Sequence, residues 1–335
     1  MKTSTSKRLR WNVAIWLAAG LFMTSTAGMA SGPIMPDPKA EARHQPQVEE
    51  TANGIPLVNI TAPSSGGVSR NEYETFNVPD KGAILNNSYT LSKTELAGYV
   101  QGNNNMAERP AKIIVNEVTG AGSTSMDGFL EVAGNRADVV IANPNGITVN
   151  GGGFINTGKA FLTTGKPVYD GEDHLQRFDI TGGDILIEGK GLGGKETGSL
   201  AILSRAVKIN AGIWAKDLHI TTGANSIDAK TLEASAIEGK GERPAFAIDT
   251  AAIGGMYAGR ITLVGTEKGL GVNNSGAWSA EDNLTLDWNG DLKNSGTIYS
   301  KGNTDIRANC LENDKKKMRK PEEKPMNEIK NNNDS

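Results

Sequence analysis

The residues best suited to chemistry lie in a glycine-rich stretch, 189–196, with the sequence GKGLGGKE. Its spacing matches the GxGxxG pattern of dinucleotide-binding loops and nearly matches a P-loop, in which backbone amides cradle phosphate groups. A P-loop needs Ser or Thr after its lysine to hold magnesium, whereas Glu196 follows Lys195 here and would repel phosphate. Neither motif is followed by the helical pattern that it requires. We therefore expect a corner between strands at this position.

Carboxylate pairs are the second candidate, because a general acid and a general base can act from one face of a fold. Glu172 lies beside Asp173, and Asp179 shortly precedes Asp184. No recurring constellation of Asp, Arg and Lys accompanies either pair, which favours solvated charges on loops. A β-helical polysaccharide lyase or hydrolase, with such residues lining a groove, remains the alternative function.

Metal chemistry has little support, because the sequence has three histidines and one cysteine without metal-ligand spacing. They are His44, His174, His219 and Cys310. With one cysteine, no internal disulfide can form, which suits either a large buried core or a chain that stays unfolded until it has crossed a second membrane. We predict no catalytic residue, no cofactor and no metal site.

The motif NPNG, from Asn143 to Gly146, has the residue order of a type I turn. Pro144 supplies the fixed φ of the second position, and the Asn143 side chain can accept a bond from the backbone of Asn145. Gly146 suits a left-handed bulge, after which Ile147 resumes a strand. None of these side chains is a useful acid, base or nucleophile at neutral pH, so we expect a strand-turn-strand corner.

Short strands must position these residues. The sequence has 41 glycines and 5% aromatic residues, and short apolar runs such as AKIIVNEV and ADVVIA recur between Gly and Asn clusters. Sustained helical periodicity is almost absent, so the pattern predicts an all-β protein. The formal net charge of -3 gives no basic footprint, and we expect no nucleic-acid partner.

A period of twenty residues predicts a solenoid. Residues 274–278, NSGAW, are echoed by NSGTI at 294–298, and Leu286 is echoed by Ile306. Three short strands and three corners use about twenty residues, so each repeat is expected to form one coil, with about a dozen coils forming a rod on the order of 60 Å long. An earlier copy, NAGIW at 210–214, is interpreted as three periods before the first.

Within a coil, Leu284, Leu286 and Trp288 are expected to face inward, and Thr285 and Asp287 outward. Stacked asparagines are expected to pair their amides into ladders at the corners.

The ends of the chain differ from its middle. Basic residues, an apolar run at 11–23 and small residues predict a signal peptide over 1–30, cleaved near Ala30. Residues 31–52 are rich in proline and charge and predict a flexible leader, and residues 53–90 are candidates for an N-terminal cap. The pattern gives way to a charged tail at 309–335, predicted to be disordered, and this switch suggests that the chain is cut short.

Several motifs in consistent order resemble the N-terminal secretion domain of two-partner-secretion exoproteins, which include filamentous haemagglutinins, haemolysins and contact-dependent growth-inhibition proteins. The domain would cover residues 53–255, and the repeats at 256–308 resemble haemagglutinin repeats. The stretches that carry the resemblance are GGVSRNEYETFNV (66–78), LNNS (85–88), LAGYVQGNNNM (96–106), IIVNEVTG (113–120), GFLEVAGNRADVVIANPNGI (128–147) and GGFINTG (152–158).

The resemblance implies a right-handed parallel β-helix with an N-terminal cap, exported through the Sec translocon and the periplasm. It also implies recognition by the POTRA domains of an outer-membrane β-barrel transporter, then folding at the cell surface, where host or neighbouring cells are possible targets. The family's two signature turns correspond to residues 103–106, with Asn103 and Asn105, and to residues 143–147. The first lacks the usual proline and leucine, and the second is intact.

The resemblance leaves several questions open. The protein could be an adhesin, a haemolysin or a growth-inhibition toxin carrier, and the short chain could be a functional product or a truncated remnant.

Overall fold

The computed structural model describes residues 32–107 and 109–314, so the predicted signal peptide and most of the predicted tail lie outside the described residues. The described chain consists of 32 β-strands and one 3₁₀ turn, Ala42–His44. None of its helical segments is long and apolar enough to cross a membrane.

The strands follow one another along the whole described chain. The first sixteen are β1 (Ile34–Pro36), β2 (Gln47–Glu50), β3 (Pro56–Asn59), β4 (Val68–Phe76), β5 (Ala83–Asn87), β6 (Ser92–Thr94), β7 (Gly98–Val100), β8 (Ile113–Val118), β9 (Thr124–Met126), β10 (Phe129–Gly134), β11 (Ala137–Ala142), β12 (Ile147–Val149), β13 (Gly152–Ile155), β14 (Thr157–Thr163), β15 (Lys166–Tyr169) and β16 (Leu175–Ile180). The remaining sixteen are β17 (Asp184–Ile187), β18 (Leu192–Gly194), β19 (Ser199–Ser204), β20 (Ala206–Ile209), β21 (Gly212–Thr222), β22 (Asn225–Asp228), β23 (Ala234–Ala236), β24 (Phe246–Thr250), β25 (Gly255–Gly265), β26 (Gly271–Asn274), β27 (Ala277–Ala280), β28 (Leu284–Trp288), β29 (Asp291–Asn294), β30 (Thr297–Ser300), β31 (Thr304–Arg307) and β32 (Cys310–Asn313).

Three stacks of parallel strands form the walls of a β-helix, as predicted. The first stack runs β3, β5, β10, β13, β18, β21, β25, β27 and β30. The second runs β4, β8, β11, β14, β19, β21, β25, β28 and β31, and the third runs from β9 through β12, β17, β20, β24, β26 and β29 to β32. The chain visits the walls in turn, and the long strands β21 and β25 each turn a corner and serve two walls.

Side chains alternate between the interior and the outer surface of each wall. Leu284, Leu286 and Trp288 are at most 4% exposed, whereas Asp287 is exposed. Leu286 is aligned with Ile306 of the next coil, which confirms the predicted stacking. The interior is thus one continuous apolar column, and each coil buries the apolar side chains of its neighbours.

An asparagine ladder confirms the predicted amide pairing at one corner. Asn274 Nδ2 donates to Asn294 Oδ1 at 2.8 Å, and Asn294 Nδ2 donates to Asn313 Oδ1 at 2.9 Å. Asn274 is fully buried and Asn294 nearly so. The buried amides of Asn274 and Asn294 therefore each find a polar partner in the next coil, whereas Asn313 at the end of the ladder is partly exposed.

Residues 34–50 form ordered strands, which corrects the predicted flexible leader. β1 pairs antiparallel with β4, and β2 pairs antiparallel with β3. Ile34 and Val48 also pack against the apolar column. The antiparallel strands cover edges of the first coil, so the N-terminal cap includes residues upstream of the predicted 53–90. Composition misled the prediction because it does not show which residues are buried, and in this segment Ile34, His44 and Pro46 are buried.

Two further expectations about the repeats were wrong. The coil pattern continues past residue 308, because β32 pairs with β29 over Cys310–Asn313, within the predicted disordered tail. Gly212 is aligned with Gly255, and Gly255 with Ala277, so the repeat at 210–214 lies two coils before the repeat at 274–278 rather than three. The chain between β21 and β24 leaves the coil and uses the extra residues. Such excursions also explain why two of the stacks are nine strands deep and the third is eight strands deep, rather than about twelve.

An antiparallel sheet of β15, β16, β22 and β23 lies outside the coils. Its residues Phe178 and Ile227 are fully buried and form a second apolar cluster with outward-facing residues of the wall, including Val140, Phe161 and Ala201. This sheet shields these apolar residues of the outer wall from solvent. A smaller hairpin, β6 with β7, packs against the first wall through Leu96, Ala97 and Val100.

A charged cluster joins the N-terminal segment, the second wall and the loop between β15 and β16. His44 is 4% exposed and lies 3.1 Å from Glu72 Oε1 and 3.4 Å from Asp173 Oδ2. Arg70 Nη2 lies 2.8 Å from Glu72, and Arg70 Nε lies 3.6 Å from Glu117. Arg43 completes the cluster by bonding Asp173 at 2.6 Å. Segments far apart in sequence are thus held together by half-buried charges.

Burial raises the pKa of Glu117 from its ordinary value of 4.5 to about 7, although Arg70 opposes this shift. The folded protein therefore favours the protonated acid. Its contribution to stability is present in full below about pH 4.5 and is lost as the pH rises through about 7.

We expect Glu117→Gln to stabilise the protein above pH 7, because the amide carries no buried charge to desolvate. The gain in free energy of unfolding should be about 1–3 kcal/mol at pH 8 and should shrink toward pH 5. Urea unfolding of both proteins across this pH range measures the difference, with Glu312→Gln on an exposed terminal strand as the control. A gain that is the same at pH 5 and pH 8 would contradict the titration of Glu117.

Replacing Asn294 with Ala tests the ladder. The change removes the acceptor of Asn274 and the donor to Asn313, so the free energy of unfolding should fall by about 1–3 kcal/mol. Asn289→Ala is the control, because Asn289 is exposed on the neighbouring corner. Equal urea midpoints for the two variants would show that the buried amides contribute nothing.

Candidate functional site

The turn at Asn143 has the predicted geometry. Gly146 N donates to Asn143 O at 3.1 Å, and Asn145 N donates to Asn143 Oδ1 at 2.9 Å. Gly146 has a φ of +110°, which favours glycine, and Ile147 begins β12. The Asn143 side chain therefore closes the turn from inside, while Pro144 fills the exposed second position.

The same turn is tied to the preceding coil. Asn143 is fully buried, and its Nδ2 donates to Gly122 O at 2.9 Å and to Thr124 Oγ1 at 3.0 Å. Asn145 is exposed, and its Nδ2 donates to Gly120 O at 2.8 Å. Two carboxamides thus satisfy backbone carbonyls of a loop that has no strand partner there, and they fix where Pro144 and Asn145 face solvent.

The turn at Asn103 repeats this arrangement without the proline. Met106 N donates to Asn103 O at 3.1 Å, and Asn105 N donates to Asn103 Oδ1 at 2.9 Å. Asn103 Nδ2 binds Ile60 O at 2.8 Å and Asn86 O at 3.0 Å, and Asn105 Nδ2 binds Ile60 O at 3.1 Å. The missing proline therefore leaves the turn geometry unchanged, because the Asn103 side chain supplies the closure.

The two turns are separate sites on one scaffold. Each binds its own neighbouring loop, and no hydrogen bond connects them within residues 32–107 and 109–314. In both turns the first asparagine is buried, while the next residue is exposed. They share the same turn geometry.

The other candidates for chemistry are structural or dispersed. The glycine-rich stretch begins in a corner, as predicted, with Gly189 at φ +55° and Gly191 at φ +79°. Its middle, Leu192–Gly194, is strand β18 of the first wall, so the prediction of a corner is wrong there.

Asp179 pairs with Arg177 on the outer sheet, whereas Asp184 pairs with Lys208 on the third wall. Asp179 and Asp184 therefore lie on different sheets, whereas Glu172 and Asp173 lie together in the loop between β15 and β16, where Ser65 donates to Glu172 and Arg43 pairs with Asp173.

The histidines are likewise separate. His44 belongs to the charged cluster, His174 bonds Asp170 at 2.9 Å, and His219 bonds Thr221 at 2.8 Å. Burial lowers the pKa of His219 to about 4, so it is neutral at physiological pH. No group of three or more His, Cys, Asp and Glu side chains is arranged to hold a metal in the described part of the chain.

The charged cluster has little signal in the amino-acid sequence. His44 and Asp173 are 129 residues apart, and His44 was assigned to a mobile leader. The alternation of Arg70 and Glu72 on β4 was the only local signal of a polar outer face.

Known proteins resemble this chain over most of its length. The family model described as TPS secretion domain matches residues 33–298. Toxin CdiA of Yersinia pestis is 42% identical over 298 residues, which cover 82% of this chain and 9% of that protein. The 16S rRNA endonuclease CdiA of Enterobacter cloacae is 44% identical over 284 residues, 84% of this chain and 8% of its own length. The chain therefore spans less than a tenth of these relatives.

A solved structure shows the same architecture. The crystal structure of the filamentous hemagglutinin secretion domain superposes with a TM-score of 0.71 and 32% identity, covering 84% of this chain and 97% of the other. The matched region is a secretion domain, and these similarities do not support the alternative of a polysaccharide lyase or hydrolase. This chain belongs to the family of TPS secretion domains, as found in CdiA toxins and in filamentous haemagglutinin.

Proposed function

We propose that this domain directs an exoprotein of the CdiA type through a dedicated outer-membrane transporter, whose POTRA domains bind the turns at Asn103 and Asn143. Residues 1–30 act as a Sec signal peptide cleaved near Ala30, and the chain crosses the periplasm to the cell surface. The names of the relatives favour a toxin carrier whose target is a neighbouring cell.

The hydrogen bonds that close each turn are local in sequence, which supports recognition of a chain that is not yet folded. The bonds that close each turn join a residue to positions two and three further along, so they form without the rest of the coil. The carbonyl anchors in the preceding coil then fix the same turn in the folded state. A transporter could therefore bind the same four residues before and after coiling.

The stacking of coils supports the proposal that folding outside the cell makes export of the chain unidirectional. Each new coil buries side chains such as Leu263 and Leu286 against the preceding coil, and burial of apolar area is favourable. The single cysteine means that no internal disulfide obstructs threading. The free energy that folding releases outside the outer membrane therefore opposes return of the chain. No ATP is needed for this effect.

Replacing Asn145 with Ala separates recognition from folding. Asn145 is exposed, and Asn156 is a matched corner asparagine whose Nδ2 donates to Val132 O at 2.8 Å. We expect Asn145→Ala to lower secretion by about tenfold, equivalent to about 1.4 kcal/mol of binding. Asn156→Ala should be secreted nearly normally, although its φ of +55° makes this substitution at least as costly to the fold.

The measurement is the amount of mature chain in the medium after co-expression with the transporter of its own system. Thermal unfolding of both purified variants checks that the coils remain intact. Equal secretion of the two variants would show that the turn is only structural. Secretion of the unchanged chain without any transporter would overturn the proposed route.

A further inference from the structure

The outward-facing residues of the first wall include one continuous row through seven coils. Each residue of the row is aligned with the next one in the following coil, so the row runs along the axis of the β-helix. The row consists of Phe129, Gly153, Gly193, Trp214, Tyr257, Ser279 and Tyr299. Four of these seven residues are aromatic, whereas aromatic residues make up 5% of the sequence.

An outward-facing row of the third wall differs, although it belongs to the same coils. Strand propensity favours aromatic residues on both walls. The row of the third wall is nevertheless mainly hydrophilic and consists of Thr148, Leu186, Lys208, Asp249, Asn273, Lys293 and Glu312. The aromatic side chains of the first wall therefore need a reason beyond strand formation.

The aromatic row is exposed to solvent. Outward-facing apolar residues of the second wall are covered by the sheet that contains Phe178. In the described part of the chain, Phe129 is 43% exposed and Tyr257 is 39% exposed, while Trp214 and Tyr299 are partly exposed. Covering an apolar face of the fold therefore does not explain this row.

Glycines allow the aromatic rings to lie along the wall. A Cβ at Gly212 would be only 2.5 Å from Trp214 Cη2, so the ring occupies the space above the glycine backbone. The rings of Trp214 and Tyr257 are nearly parallel, with an interplanar angle of 17° and centroids 6.1 Å apart. The covered glycines, each with the residue that covers it, are Gly153 with Phe129, Gly212 with Trp214 and Gly255 with Tyr257. The rings thus form a shallow aromatic strip instead of projecting separately into solvent.

The aromatic strip is one side chain wide. The row two positions earlier in each strand has small residues, and the row two positions later has exposed charged residues. The small residues are Gly212, Gly255, Ala277 and Thr297, and the charged residues are Lys216, Glu281 and Lys301. A stable protein interface buries about 800 Å² on each partner around an apolar centre. A narrow strip between a small-residue row and a charged row is better suited to a single polymer chain.

We propose that the aromatic strip binds a β-linked polysaccharide chain that lies along the axis of the β-helix. The C–H groups of a flat sugar ring carry partial positive charge and stack on the negative face of an aromatic ring. The length of one sugar is similar to the spacing of neighbouring strands, about 4.8 Å, so successive sugars can follow the row. Lys216 and Glu281 point to the same face and can bond sugar hydroxyls.

Charge favours a polysaccharide over a nucleic acid, the other polymer that stacks on aromatic rings. Nucleic acids bind mainly through lysine and arginine that neutralise their phosphates. The chain has a formal net charge of -3, and Lys301 beside the strip is paired with Glu281. Polysaccharide binding at the aromatic strip is also independent of the proposed route of export.

Calorimetric titration of the full chain with cellohexaose, a straight β-linked glucose hexamer, tests the aromatic strip. We expect saturable binding with a Kd of about 1 mM. Trp214→Leu should weaken binding about tenfold, because leucine still covers Gly212 but has no aromatic face. Trp214→Phe, which keeps an aromatic ring, should bind more tightly than Trp214→Leu. Phe246→Leu is the matched control, because Phe246 is 38% exposed on β24 of the third wall, and its loss should leave binding unchanged.

Further measurements separate recognition from stability. Urea unfolding midpoints show whether each variant remains folded, and Tyr257→Leu is a second variant at a more exposed ring. Maltohexaose, an α-linked hexamer that coils, should bind at least about tenfold more weakly than cellohexaose. Absence of saturable cellohexaose binding, unchanged binding by both leucine variants, or equally tight binding of maltohexaose would overturn the proposal. A lower unfolding midpoint of Trp214→Leu, without cellohexaose binding by the unchanged protein, would show that the row only stabilises the wall.

Discussion

The structure depends on one constraint, which is that each coil must satisfy its backbone hydrogen bonds from the coils before and after it. In a parallel stack this pairing aligns residues of successive coils at a fixed spacing, as Leu263 aligns with Leu286. A corner must therefore return the chain to the same register each time. Asparagine and glycine meet this demand, because the carboxamide replaces missing backbone partners and glycine adopts left-handed φ values.

The same constraint makes the end coils and the apolar outer faces energetically unfavourable unless other segments cover them. A first coil has no predecessor, so its strands would present unpaired backbone groups and an apolar cross-section. The antiparallel partners β1 and β2 meet this need at the N-terminal end. Outward-facing Val140, Phe161 and Ala201 would expose apolar area on the second wall, and the sheet containing Phe178 and Ile227 buries it. The charged cluster then links the cap to this outer sheet through His44 and Asp173.

Whether a feature could be predicted depends on how far apart its interacting residues lie in the sequence. The pairing of Asn274 with Asn294 was predictable, because a contact between adjacent coils appears as a short period in the sequence. The geometry of the Asn143 turn was predictable because its bonds lie within four residues. The contact between His44 and Asp173 was not predictable, because the two residues lie 129 positions apart in the sequence. Likewise, the repeat at 210–214 was misplaced because an excursion from the coil changes the period without changing the strand pattern.

In each asparagine turn, the residue that stabilises the turn differs from the residue that is exposed to solvent. Asn103 and Asn143 are buried, and each closes its own turn while bonding the preceding coil, so their identity is required by the fold. The residue that follows each of them is exposed and makes few such bonds, so the fold tolerates asparagine at 104 and proline at 144. The buried amide fixes the path of the backbone, and that path, rather than the proline ring, sets how the exposed residues are presented. A partner that binds both turns must therefore recognise mainly the shared backbone shape and the second asparagine, which is Asn105 in one turn and Asn145 in the other.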